Sequence, residues 1–393
     1  MVSQLLSSGS IHHSSSSSFN QPLQDWLALS FFPGVGCTLV NRLVQELGSP
    51  GRVLSARPGQ LLAVEGVGRK LAGLIADPAR VETARKRAGQ EIEKAAEQNC
   101  GVLCPADNCY PAVLSDIADP PVALYCRGDL SCLRKPAVAL VGSRAATSYG
   151  RRVSFELARE LARNGICVVS GMAMGIDGEA HAGALAGGGA TIGVLGCGVD
   201  IVYPYQHADL FEEVAAQGLL ISEYHLGTPP DAFRFPERNR IISGASLGTV
   251  VVEASVKSGS LITARLALDQ GREVFAVPGR IDSAKSRGTH RLLQEGAKLI
   301  NCVDDILEEL DMAGALDQKQ PGAPVSELLV ELPEHEKHLF SCLEVYPVTI
   351  DELVRESGYA APAVLQMLLG LELKGLVRQL PGQQYERRIL ENR

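Results

Sequence analysis

Val138-Ala139-Leu140-Val141-Gly142-Ser143-Arg144 is a short apolar run that stops in a glycine, a hydroxyl and a guanidinium. Four apolar residues without alternation are what a strand buried on both faces requires. The glycine that follows permits a tight turn whose backbone amides can face an anion. The same texture returns at 166–170, 191–195, 219–222, 249–253, 273–277 and 298–300, each run followed by a glycine-containing loop and most by a segment of helical length. Repeated strand–helix units predict an α/β fold, a Rossmann-like, doubly wound parallel sheet with helices on both faces.

In such a sheet the ligand sits outside the carboxyl ends of the strands, so the loops after these runs converge on one crevice. They include Gly142-Ser143-Arg144, Ser170-Gly171 running on to Gly175-Ile176-Asp177, Gly196-Cys197-Gly198, and Lys257-Ser258-Gly259-Ser260. Glycines and hydroxyls of this kind let amides and OH groups close on phosphate. No G-x-G-x-x-G opens the first helix and no G-x-x-x-x-G-K-[ST] occurs, so neither a dinucleotide nor a Walker-type nucleotide is expected, and no cofactor is predicted. Charge points to a longer anion. The chain carries −8 overall, yet residues 234–291 hold ten Lys or Arg against five Asp or Glu, a local +5. Arg238 and Arg240 flank Asn239 near a helix start, and Lys257 precedes another, where dipole and amides already favour anions.

Outward from this core the chain changes character twice. Residues 1–22 are Ser-rich and read as a disordered tail. Residues 23–100 are helical in pattern and contain the paired turns Phe32-Pro33-Gly34-Val35-Gly36 and Val64-Glu65-Gly66-Val67-Gly68, which resemble helix–hairpin–helix units. They serve either phosphate contact, aided by Arg69 and Lys70, or simply tight turning in a small helical domain. The sheet domain is placed at 101–311, a Pro- and Gly-containing linker at 312–330, and a last unit at 331–393. Helical segments at 335–345, 349–357 and 361–375, then a short hairpin, predict a winged helix. The third of these helices holds only Glu372 and Lys374 as charges, which suits protein contact or packing better than a DNA groove. With 46% hydrophobic and 21% charged residues the chain can bury a core, and it has no apolar run of membrane-spanning length, so a cytoplasmic address is expected. Ten cysteines show no CxxC pair; Cys100, Cys104 and Cys109 cluster without a fourth ligand, and no metal is expected.

The central motifs, taken in order, resemble the DNA-processing protein A family (DprA, also called Smf). The residues are Gly142-Ser143-Arg144 with Tyr149-Gly150, Ser170-Gly171 with Gly175-Ile176-Asp177 and Ala180-His181, Val194-Leu195-Gly196 with Asp200 and Tyr203-Pro204, and Ser222-Glu223-Tyr224. Then come Phe235-Pro236-Glu237-Arg238-Asn239-Arg240, Glu253-Ala254, Ser258-Gly259-Ser260-Leu261-Ile262-Thr263, and Gly271 to Gly279. The resemblance implies a homodimeric protein that binds and protects single-stranded DNA and loads the RecA recombinase during natural transformation, with no catalytic step. It assigns DNA contact to Gly142, Ser143, Arg144, Ser170, Gly171, Phe235, Arg238, Asn239, Arg240, Lys257, Ser258, Gly259, Ser260 and Thr263. Phe235 is either a base-stacking ring or a core aromatic. The chain departs from the family pattern at Met174, His207, Ala232 and His290. An alternative reading is a Rossmann-like enzyme or sensor acting on a small nucleotide, similar to phosphoribohydrolases, with Glu253 as its carboxylate; their Pro-Gly-Gly-x-Gly-Thr motif is absent. His181 beside Asp177 and Glu179 reads as a structural histidine, since no nucleophile or metal partner accompanies it.

Overall fold

The computed structural model describes residues 21–312, 332–343, 347–374, 376–380 and 384–387. Residues 1–20 of the expected tail and nearly all of the expected linker lie outside them, while Gln21 and Pro22 open the first helix, Gln21–Ser30. Two compact units divide at Asp311.

The larger unit is built on a nine-stranded sheet. Its strands are β1 (Gly101–Leu103), β2 (Leu124–Gly128), β3 (Ala137–Val141), β4 (Cys167–Ser170), β5 (Thr191–Val194), β6 (Leu219–Ser222), β7 (Gly248–Val251), β8 (Glu273–Ala276) and β9 (Lys298–Leu299), in the order β1-β2-β6-β5-β4-β3-β7-β8-β9. From β6 through β9 every neighbour is parallel, with Val138 opposite both Val168 and Gly248. All five residues of β3 are buried, as expected for a central strand with helices on both faces. The chain winds outward from β3 to β6, then returns to place β7 on the other side of β3. That reversal opens the crevice between the ends of β3 and β7.

Two strands went unread in the sequence. β1 pairs antiparallel with β2, and β2 with β6, so the sheet ends in an antiparallel edge. β1 has three residues and β2 ends in Arg127-Gly128, too short and too mixed to show a period.

The N-terminal helices Cys37–Leu47 and Arg69–Ile75 each follow one of the paired turns, with Gly34 at φ +81° and Gly66 at φ +92°. Only glycine adopts that conformation freely. Val35 N–H bonds Phe32 O and Val67 N–H bonds Val64 O, both at 3.1 Å, so the two turns are alike in hydrogen bonding as well as in sequence. The long helix Pro78–Glu97 starts on an Asp77 cap, whose carboxylate accepts from Ala79 N–H at 3.0 Å. These helices do not bury their apolar faces among themselves alone. One hydrophobic cluster joins Trp26, Leu27, Leu43, Ile75 and Ala88 to Tyr125, Met172, Leu195, Phe211 and Leu220 from the sheet and its helices.

The smaller unit has helices Glu334–Cys342, Ile350–Ser357 and Ala361–Leu373 and a three-stranded sheet. Its strands are β10 (Val348–Thr349), β11 (Val377–Leu380) and β12 (Gln384–Arg387), ordered β10-β12-β11. This is a winged helix around Leu339, Leu353, Val364 and Leu368.

Candidate nucleic-acid interface

A cleft of about 650 Å³ lies at the reversal point. The turn after β3 supplies Gly142, Ser143 and Arg144; the helix Arg234–Gly244 supplies Phe235, Arg238 and Asn239; the start of the helix Ser260–Asp269 supplies Ser258, Gly259, Ser260 and Thr263. Tyr203 closes one side. Ten of the fourteen residues expected at the DNA site thus line one cavity.

Its cations differ in state. Arg144 is exposed, its guanidinium carbon 5.4 Å from the centroid of the Phe235 ring, which in turn stacks on Tyr203 at 5.3 Å and 27°. Arg238 is only 4% exposed: its Nη1 donates to Gly171 O at 2.8 Å and also to Val194 O. Burial pulls its pKa down to about 10, against the Asp177 carboxylate, which raises it. Asp177 accepts from Gly171 N–H at 3.2 Å, and burial pushes its carboxyl up while Arg238 pulls it down. Arg238 is therefore held by protein carbonyls, and its Nε has no partner among the described residues. Arg144 stands free to follow a ligand. At the start of the helix Ser260–Asp269 the Ser258 and Ser260 hydroxyls lie 2.8 Å apart, and the N–H groups of Ser258 and of residues 260–263 are already bonded within the turn, so this edge offers an anion hydroxyls and the helix dipole.

Four expected residues lie elsewhere. Ser170 is buried and donates to Leu140 O at 2.6 Å, so its hydroxyl belongs to the sheet. Gly171 lines a side chamber of about 90 Å³ behind Phe235, together with Met174. Lys257 is exposed on an adjoining groove of about 270 Å³ that shares Ser258 and Ile262 with the cleft and also holds Arg265 and Arg291. Arg240 is turned away from the cleft and buried. Its Nη1 and Nη2 grip the two oxygens of Glu223 at 3.1 and 2.7 Å, its Nε donates to Asp119 at 3.0 Å, and Nη2 meets the Cys37 sulfur at 3.4 Å. A guanidinium with three protein partners anchors the N-terminal helices to the sheet rather than facing solvent.

Lys285 went unnoticed as a site residue. Its ammonium donates to the Ser143 hydroxyl at 3.2 Å, arriving from the loop after β8. Ala232 lines the cleft without charge, His207 Nδ1 lies 3.1 Å from Met172 O, and His290 Nε2 lies 3.0 Å from Gly279 O.

The residues that an enzymatic reading needs are otherwise engaged. Glu253 is 4% exposed and accepts from the Thr147 N–H at 2.9 Å and from the Thr147 hydroxyl. It ties the end of β7 to the cap of the helix Ser148–Arg163. His181 is fully buried: Met172 N–H donates to its Nε2 at 3.3 Å, and its Nδ1 lies 2.8 Å from the Thr191 hydroxyl, which donates to Val168 O. Nδ1 therefore carries the proton, and burial pushes the pKa down to about 3. No group of three or more metal-ligating side chains occurs among the described residues.

Residues 101–311 match the family described as DNA recombination-mediator protein A, and residues 323–383 match the DprA winged helix domain. The chain belongs to the DNA recombination-mediator protein A family. It is 36% identical over 394 residues to Protein Smf of a Synechocystis species, covering 92% of this chain and 98% of that one. It is 46% identical over 205 residues to the DNA processing protein DprA of Streptococcus pneumoniae, covering 52% of this chain and 72% of that one. The X-ray structure of the Streptococcus pneumoniae DprA superposes with a TM-score of 0.60 at 35% identity, over 72% of this chain and 95% of that one. The DprA domain thus contains every strand of the nine-stranded sheet and the whole cleft lining. No described helix is long and apolar enough to cross a membrane.

Proposed function

We propose that the cleft binds single-stranded DNA and that the chain, as a cytoplasmic homodimer, protects the strand and passes it to the RecA recombinase without catalysing a reaction. The observation that carries this reading is the juxtaposition of an exposed Arg144 with the Tyr203–Phe235 ring stack, in a cleft edged by the hydroxyl-bearing residues Ser143, Ser258, Ser260 and Thr263. A guanidinium and hydroxyls suit a phosphodiester; an aromatic face suits an unpaired base of any identity. Duplex DNA hides its base faces and offers nothing to the rings. Thr147 engages Glu253, and Asp177, which also lines the cleft, accepts from Gly171 N–H, which supports a holding role over nucleotide cleavage. Exposed Val256, Ile262 and Leu268 near the start of and along the helix Ser260–Asp269 offer an apolar face for a second copy.

The test is fluorescence anisotropy with labelled single-stranded and duplex oligonucleotides over a salt series, with AMP as competitor. Preference for single strands, with a log–log salt slope of about −0.7 for each phosphate neutralised, is expected. Equal affinity for both forms, or turnover of a small nucleotide, would overturn it. RecA assembly on single strands should be faster with the protein than without, and sedimentation should give the mass of a dimer.

A further inference from the structure

We infer that Lys285 is a second phosphate ligand of the strand-binding site, taking a backbone phosphodiester next to the one held by Arg144. This rests on the reading that the cleft takes single-stranded DNA. Of the two arginines in the cleft, Arg238 is buried and spends its Nη1 on the Gly171 and Val194 carbonyls, which leaves Arg144 alone to meet a polyanion. A strand presents successive charges, and one mobile guanidinium matches one of them. Lys285 reaches the same turn from a distant part of the chain: Ser143, which accepts its proton at 3.2 Å, is the residue before Arg144. An ammonium has three donors, and the Ser143 hydroxyl uses one. Among the described residues Lys285 forms no ion pair. The nearby acids are engaged elsewhere, Glu253 with Thr147 and Asp282 with Arg280.

The placement is fixed rather than incidental. Ala254 N–H donates to Lys285 O at 2.8 Å and Gly288 N–H to Ala254 O at 2.7 Å, which stitches the loop to the end of β7. Farther along, the Tyr149 hydroxyl donates to Pro278 O at 3.1 Å, and His290 Nε2 lies 3.0 Å from Gly279 O. A lysine on a backbone pinned at four points meets its phosphate with little ordering left to do.

The experiment measures binding of wild type, Lys285→Ala, Lys285→Glu and Lys285→Arg to a labelled oligothymidylate with 5′-hydroxyl ends, across a salt series, with thermal midpoints checked for each variant. Lys285→Ala is expected to bind about tenfold more weakly at low salt, with a slope less negative by about 0.7. Lys285→Glu should bind more weakly still, and Lys285→Arg should keep the wild-type slope. If wild type binds single strands and Lys285→Ala matches it in affinity and slope, the assignment of Lys285 fails and the cleft reading survives. A loss of affinity with the slope unchanged also overturns it, because that marks a shifted Ser143 rather than a lost charge pair. An effect seen only with a 5′-phosphorylated strand overturns it in favour of a terminal phosphate. Wild type that does not bind single strands removes both readings together.

Discussion

Replacing Arg240 by Met separates anchoring from DNA contact. The substitution keeps the apolar stem and removes the guanidinium that Glu223 holds through both oxygens, in a side chain 7% exposed. Glu223 would then remain almost buried with no counter-charge. Removing one partner of a buried pair costs about 3–5 kcal/mol, and Asp119, being more exposed, adds little. At roughly 2–4 °C per kcal/mol for a domain approaching this size, the thermal midpoint should fall by about 6–20 °C. The loss depends on pH in a defined sense. Burial already pushes the Glu223 carboxyl up from 4.5, against the pull of Arg240, and removing Arg240 pushes it further. A carboxyl whose folded pKa lies above its unfolded one favours the folded state at low pH and loses that contribution as pH rises through the folded pKa. The deficit against wild type should therefore narrow as pH falls toward 4.5 and be full at neutrality. Glu223→Gln combined with Arg240→Met should recover part of the midpoint. The assay is calorimetry or circular-dichroism melting, paired with single-strand affinity measured well below the variant's midpoint. A wild-type midpoint with weakened DNA binding would refute the anchoring argument and return Arg240 to the site.

Arg144→Ala should leave the midpoint unchanged, because the side chain is exposed, yet weaken binding of every single-stranded sequence alike; equal affinity at matched salt would remove it from the site. Gly150→Ala would drive a Cβ into the Glu253 carboxylate and displace it from Thr147, at about 1–3 kcal/mol, read as a lower urea midpoint. His181, held neutral with its pKa near 3 against 6.5 when free, makes the unfolded chain the better proton acceptor in acid. Its contribution is full above 6.5 and lost as pH falls, by about 1.4 kcal/mol per unit, so His181→Gln should flatten the stability profile between pH 6 and 4.

The parallel strands β3 to β8 were readable because strands buried on both faces must be largely apolar, whereas β9 is only Lys298 and Leu299, both exposed. The edge strands were not, because β1 and β2 owe their place to pairing with β6 rather than to any pattern of their own. At the site, the turn Gly142-Ser143-Arg144 and the segment Ser258 to Thr263 were legible through their glycines and hydroxyls. The run Arg238-Asn239-Arg240 was readable only as basic. Residues two apart on a helix face different sides, so the two guanidiniums could not share a ligand, and tertiary contacts decided which one met the cleft. Lys285 was counted among ten cations, but nothing local marks a side chain whose partner lies 142 residues away.

The shared hydrophobic cluster also bears on how the molecule comes apart. With Trp26, Leu43 and Ile75 packed in one body with Tyr125, Leu195 and Phe211, peeling away the helices would bare a face of the sheet and leave Arg240 without Cys37. What sequence divides at residue 100 is joined there by a shared core, and residues 21–311 should melt cooperatively as one body. By linkage, a strand seated in the cleft then lends its binding free energy to the helical layer packed in the same body, which should gain resistance to heat and proteolysis.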